Sequence, residues 1–522
     1  MNLPSTWAQP RSFAFCLLLA VFLAACSGSS SGRSYYIDCE SMTASEGTSD
    51  EPWNNFEIAN SLTLEPGDRL LLRRGTVCNG MLKPRGSGTE DNPIVISAYG
   101  DGPLPRIDAQ GMFTAAVHIE DISHVVIESL ELTNPGDVND TDRYRGVYLS
   151  SVESTVSNIE IRDLYIHDVT SRVDFGGGKL GGAIIAISSL EAPEAAFDGI
   201  LIENNRIEDV GRSGIYFNGT SFSDERPRAT EPWPRGAQGV VIRGNTLERL
   251  QGDAIVAHGT EGAVIEDNVV SVGNLAGQDF ASEDRNCAVG IWTWHANNTL
   301  IQRNEVSGYR FGQSATDGCD GTGFGRDYNT DGTIIQYNYS HDNEGGFILL
   351  CSDDEPSRAD VRYNLSIDDD KVINASPCKF PTPGTYDELR MYNNTFVMPD
   401  PHTALQNARL SAIGNAGDFQ FANNIVYATS PQTEPMACGD RCTNNLFYNL
   451  PPSGTEFVVE DPLFEDGSWR GSGRAEAGEA FRIRTGSAAV AAGLGLVIPP
   501  PEEDYFGNEI PATPSIGMHQ LQ

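Results

Sequence analysis

The sequence predicts an all-β chain wound as a solenoid and closed at each end. Three observations point there. Asn ends an apolar–polar alternating run again and again, at Asn205, Asn245, Asn268, Asn304, Asn338, Asn364, Asn394 and Asn424. A second short strand recurs at constant phase, as in Gly-Ile-Tyr-Phe-Asn (214–218), Ala-Ile-Val-Ala-His (254–258) and Gly-Ile-Trp-Thr-Trp (290–294). The shared frame, Ile-x-Ile/Val-x-x-Asn-x-Ile/Val, carries the two-residue period of a strand and no helical period. Asn spacings of 23 to 40 residues describe coils of one kind that differ through loop insertions. A buried Asn satisfies turn backbone and stacks on the Asn of the next coil as a ladder.

Each segment has its place in that scheme. Residues 1–25 read as an export signal: Arg11 precedes an apolar run, Phe13 to Ala25, too short to span a membrane. Leu23-Ala24-Ala25-Cys26 resembles the bacterial lipobox, which implies a lipid on Cys26 and a flexible tether over 26–34. The expected location is the cell envelope at the outer membrane, with membrane contact through that lipid alone. Residues 35–114, with Gly67-Asp68 and Pro93-Ile94-Val95-Ile96, form an N-terminal cap and first coils that cover an otherwise open sheet edge. The coils occupy 115–450, and the Pro-rich 451–522 reads as last coils and a closing cap.

Composition narrows the partners. The 72 acids against 35 bases give a net charge of −37, which argues against nucleic acid and against a bare anionic surface. An anionic substrate would need a local Arg cluster or a bound cation. Eight cysteines remain beyond Cys16 and Cys26, an even number suited to disulfides in an exported chain. We pair them Cys39–Cys78, Cys287–Cys319, Cys351–Cys378 and Cys438–Cys442, one of 105 possible pairings. The chain is expected to act as a monomer.

The chemistry gathers between Cys287 and Cys351. Aligning the second strands, with Gly-Phe-Gly-Arg-Asp (323–327) and Gly-Phe-Ile-Leu-Leu (346–350), stacks Ile215, Ile255, Ile291, Phe324 and Phe347 inward. Asn218, His258, Trp294 and Asp327 then form one outward strip, about 4.8 Å apart from coil to coil. Arg326 falls on an inward position that this alignment leaves unexplained. Long insertions follow Phe217, Val270 and Tyr309, and the first carries Arg226, Arg228, Trp233 and Arg235. Asp317, Asp320, Asp327 and Glu344 lie on neighbouring coils, and glycoside hydrolysis needs two carboxylates, one a proton donor and one a base or nucleophile. The same acids suit Ca2+ or plain solvation, Asp317 being the metal candidate. Trp292 and Trp294 suit the apolar face of a sugar ring. His258 suits an acid, a base or an orienter. Asp253, Arg326 and Asn218 are candidate substrate contacts. His167-Asp168 and His341-Asp342, at strand ends, read as turn anchors.

Together these features resemble the right-handed parallel β-helix proteins of the pectate-lyase superfamily. The likeness rests on Gly67-Asp68 with Asn92-Pro93-Ile94, the Asn ladder, and Asp504-Tyr505-Phe506-Gly507 with Ser515-Ile516-Gly517. The centre is similar to a bacterial subgroup reading Asp-Gly-x-Gly-Phe-Asp-x-Asp and then Gln-Tyr-Asn-Tyr-Ser-His-Asp-Asn-x-Gly-Gly-Phe. Here these are Asp320 to Asp327 and Gln336 to Phe347, with Gly325 in place of the acid after Phe. The resemblance implies a polysaccharide partner. Three functions fit it: a glycoside hydrolase with Asp327 and Glu344 as the first pair, a polysaccharide lyase using a cation, Arg326 or Lys179 with His258, or a non-catalytic glycan-binding surface protein.

Overall fold

A computed structural model describes residues 32–42, 46–137, 143–171, 178–189, 191–192, 194–219, 237–273, 275, 287–311, 320–351, 358–374, 388–398, 419–433, 435–436, 441–495 and 501–521. Cys26, Asp317, Cys319, Cys378, Cys438 and the four insertion residues 226, 228, 233 and 235 lie outside this set.

Short strands whose inner faces are Ile, Val and Leu cannot bury them within one coil, so they stack on the next. Among the described residues they make three long sheets of fifteen, thirteen and nine strands, each strand paired with the equivalent strand of neighbouring coils. Pairing is parallel throughout these ladders, as in Ser213–Asn218 against Asp253–His258 and Asp253–His258 against Val289–Trp294. This is the parallel β-helix expected. One continuous apolar core fills the coils, with Ile215, Ile255, Ile291 and Phe324 fully buried.

The Asn ladder runs one coil further than expected. Side-chain amide to side-chain carbonyl bonds of 2.9–3.1 Å link Asn205, Asn245, Asn268, Asn304, Asn338, Asn364, Asn394 and Asn424, and end on Asn445. The residue before a ladder Asn turns the corner in the left-handed region, for example Arg303 (φ 54°), Tyr337 (58°) and Tyr363 (51°). Such backbone costs a non-glycine residue about 1 kcal/mol or more. The Asn amide offsets that by binding carbonyls of its own and the preceding coil, as Asn304 does with Ile265 and Gln302.

One register differs from the sequence alignment. Phe324 pairs with Ile348, and Gly325 with Leu349, so the coil at 346–350 is shifted by one. The position before the inward ladder is usually Gly or Ala because it is cramped: a Cβ on Gly290 would lie 2.4 Å from Val306 Cγ1. In this coil Phe347 occupies it, its ring 5.8 Å from that of Phe324 and 5.6 Å from that of Phe396. Leu350 therefore turns inward beside Arg326, and Cys351 follows on the outside.

The ends are held differently. At the start, Ser34–Ile37 pairs with Arg69–Arg73, and the Cys39–Cys78 disulfide ties the cap to the first coils. Closing that loop contributes about 4 kcal/mol on the chain-entropy account. Cys287, Cys351 and Cys442 are also disulfide-bonded. At the other end Thr455 and Val458 add a last partial rung. The chain then runs back along the flank instead of only closing the end. Phe464, Phe481, Tyr505, Ile516 and Met518 cover outward apolar residues of the later coils, among them Tyr337, Tyr363, Leu365 and Ile425. No helix among the described residues is long and apolar enough to cross a membrane.

Candidate active site

The nine-stranded sheet carries the expected strip. Asn218 pairs with His258 and His258 with Trp294; the next backbone N–H along, that of Asp327, donates to Thr293 O at 2.9 Å. The strip faces away from the coil interior, but it is not open surface: Asn218 and His258 are buried, and Trp294 and Asp327 half-buried. A second apolar cluster covers this face, built from Ile185, Tyr216, Val256, Val289, Trp292, Leu349 and Cys351.

Asp253 sits at the centre of the buried polar groups. One of its oxygens accepts the Val289 N–H at 2.9 Å and the Trp292 indole N–H at 3.1 Å. The other faces Arg212 Nη1 at 2.6 Å and Lys179 Nζ at 3.7 Å. Arg212 is 0% exposed and Asp253 1%. The Arg212 guanidinium also donates to Cys287 O at 2.7 Å. Lys179 lies over the Trp292 ring at 4.2 Å and near that of Trp294 at 5.8 Å, so the Trp292 face is packed against a cation. Burial lowers the Lys179 amine, while Asp253, Asp327 and Asp320 act to raise it.

The Asp320 carboxyl belongs to the same electrostatic group. Burial raises it, to about 7, with Asp253 and Asp327 pushing the same way and Lys179 and Arg212 opposing. Its backbone sits at φ 51°, followed by Gly321 at 69°. The next coil reaches it only because residue 345 is glycine: a Cβ there would lie 1.8 Å from Asp320 O. Gly325 has a similar reason. Opposite Trp292, a Cβ at 325 would stand 3.0 Å from the Trp292 Cβ and 3.2 Å from Val289 Cγ1, so the acid that the subgroup carries would require these neighbours to shift by a few tenths of an ångström.

His258 is neutral, its pKa driven well down by burial first and then by His295 and Lys179. Tyr216 Oη pairs with its Nδ1 at 2.9 Å, and its ring stacks on Trp294 at 4.4 Å. Asn218 Oδ1 is buried with no hydrogen-bond partner among the described residues.

Two expected residues stand apart from this group. Glu344 has a 38% exposed side chain, pairs with Arg310 at 3.7 Å and accepts the Phe311 N–H at 2.8 Å. Arg326 is inward and 1% exposed, donating to Cys351 O at 2.6 Å and to Thr330 O, contacts that brace the coil wall. Among the described residues no group of three or more His, Cys, Asp or Glu is arranged to hold a metal ion. Sequence reading did not single out Arg212, and it gave Lys179 only to lyase chemistry. The available signal was positional: Arg212 directly precedes Ser213, which pairs with Asp253 on the next coil.

A family model described as a right handed beta helix region matches residues 106–306 and 195–449. The chain belongs to this right-handed β-helix family. The match bears out the fold expected from the pectate-lyase resemblance, hand included. Within the curated proteins, this β-helix chain is 26% identical, over 592 aligned positions, to a lacto-N-biosidase of Bifidobacterium longum subsp. longum. The alignment takes in 94% of this chain and 36% of that protein, so the chain spans about a third of the relative's length. Among solved β-helix structures, the GH136 lacto-N-biosidase of Eubacterium ramulus is 23% identical, with a TM-score of 0.60 over 82% of this chain and 68% of that one. XylC in complex with xylose gives 14% identity and a TM-score of 0.51 over 94% and 98%. At these identities the solved structures speak to fold alone.

Proposed function

We propose that this β-helix protein is a glycoside hydrolase in which Asp320 is the general acid and Asp327 the partner carboxylate. The observation that carries this reading is the burial of Asp320 under the Gly345 turn, which raises its carboxyl to about 7 in the electrostatic company of Asp327 and Lys179. The alkoxide of a sugar is a poor leaving group unless its oxygen is protonated, and a carboxyl that keeps its proton near neutrality beside an acid partner suits that step. The relative named lacto-N-biosidase supports the class and suggests a lacto-N-bioside as first substrate. Lyase chemistry is less well served. It needs a cation to meet a uronate carboxylate, and among the described residues of this group Arg212 is committed to Asp253, Arg326 to the wall and Lys179 to Asp253 and Trp292.

The test is turnover of methyl β-lacto-N-bioside, whose leaving group needs a proton, and of a panel of neutral and uronic-acid glycans. Reducing ends should rise without the ultraviolet absorbance of unsaturated uronates. Asp320→Asn and Asp327→Asn should each lower kcat by ~10²–10⁴-fold with circular dichroism unchanged, while Glu344→Gln stays within ~3-fold of wild type. Equal losses in all three variants would remove the Asp320–Asp327 assignment. Binding without turnover across the panel would leave a glycan-binding protein. We further propose anchoring in the outer membrane through a lipid on Cys26; incorporation of labelled palmitate, abolished by Cys26→Ala, tests it.

A further inference from the structure

The group around Asp253 acts electrostatically on Asp320 of the proposed pair, and it is among the most heavily buried charged assemblies of the described residues. We propose that Asp253 is a positioning residue for the hydrolase site: it fixes the Trp292 indole and the start of Val289–Trp294 with one oxygen, and holds Arg212 and Lys179 in place with the other. This rests on the reading of Asp320 and Asp327 as the reacting pair.

Burying two cations and an anion is costly, and hydrophobic side chains would fill this volume with less strain on stability. The contacts suggest why they persist. Val289 N–H and the Trp292 indole N–H converge on one Asp253 oxygen, which ties the backbone and the side chain of the strand immediately before Thr322–Arg326. Asp327 follows that second strand, with its own N–H on Thr293 O. Lys179 comes from the short 3₁₀ turn Gly178–Leu180 and lies between Asp253 and the Trp292 face. The charged groups acting on Asp320 are Lys179, Asp253, Asp327 and Arg212. Asp253 thus shapes the wall by hydrogen bonds and the field by charge, without contact to sugar.

The experiment compares wild type with Asp253→Asn and Trp292→Phe in the full chain. Near-ultraviolet circular dichroism, taken as the difference from Trp292→Phe to separate Trp292 from the other five tryptophans, reads the Trp292–Trp294 pair, whose rings stand 6.3 Å apart, and needs no substrate. Turnover of methyl β-lacto-N-bioside, whose leaving group needs a proton, against pH reads the site. Asp253→Asn should weaken the tryptophan signal, lower kcat ~10- to 100-fold with KM within ~3-fold, and move the alkaline limb of the kcat profile to lower pH, because a negative neighbour of Asp320 is gone. Trp292→Phe should reproduce the kcat loss and leave that limb in place. An unchanged tryptophan signal with an unmoved limb overturns the proposal. So does a rise in KM at constant kcat, which marks a direct sugar contact. If Asp253→Asn does not fold, Trp292→Phe decides the wall half of the proposal by its kcat, and full activity there overturns it. If wild type turns over nothing on the panel, the hydrolase reading fails, and the tryptophan signal of Asp253→Asn still decides whether Asp253 holds the indole.

Discussion

Asp320 shows how one side chain pays for chemistry with stability. Its carboxyl has an ordinary value of 3.8 and is raised to about 7 in the fold. Between those values the unfolded chain is ionised there while the native chain keeps a proton. The stability gained is therefore full below pH 3.8 and is lost as pH rises through 7. Wild-type Tm should fall from pH 5 to pH 8 more steeply than that of Asp320→Asn, and thermal melts of the two across that range measure the difference. A coincident pH dependence would mean that Asp320 is ionised throughout. His258, neutral and stacked on Trp294, is better suited to orient than to transfer protons at neutral pH.

At the scale of elements, the ladder and the returning C-terminal segment are the two fasteners. Asn304→Ala removes the acceptor of the Asn268 backbone and side-chain N–H groups and the donor to Ile265 O. Stranding buried polar groups on both sides should cost about 3 kcal/mol, read as a lower urea midpoint at unchanged slope. The returning segment is pinned by Glu305, which accepts the Gly473 N–H at 3.0 and 3.1 Å while pairing with His341 at 3.3 Å. His341 also meets Asp342 at 2.7 Å, and these acids lift its pKa to about 9 against the pull of burial. A raised histidine stabilises fully below pH 6.5, and that stability is lost as pH rises through 9. His341→Gln should therefore lower Tm at pH 6 and have little effect at pH 10; limited proteolysis should locate the released chain after residue 460. The same constellation recurs at Glu131, His167 and Asp168, with pairs of 3.1 and 2.8 Å, which gives the His-Asp strand ends the anchoring part expected of them.

For the whole molecule, the relevant quantity is a net charge of −37 on one solenoid. Many acids sit in ion pairs along the outer ladders, such as Arg249 with Glu208 and Asp209 at 2.7 Å, but the excess repels itself. Raising NaCl from 0.05 to 0.5 M should raise Tm, because screening weakens that repulsion more than it weakens exposed pairs. A Tm that falls with salt would show that the surface pairs outweigh the excess.

The sequence by itself determined the solenoid, its Asn ladder, the outward strip from Asn218 to Asp327 and the neighbourhood of the chemistry. These follow from strand alternation and from a turn that needs the same amide in every coil, both local and periodic. Local pattern also misled at Phe347, where Gly-Phe repeated a motif but the cramped position, not the ladder, received the ring. What only the tertiary structure decided was the grouping of charges. Asp320 and Glu344 are both turn acids in sequence, yet one is buried beside Lys179 and Asp253 and the other stands 38% exposed beside Arg310. Arg212, Asp253 and Lys179 come from three separate coils and meet only when the coils stack. A pKa depends on burial and on neighbours distant in the chain, and no spacing along a sequence encodes either.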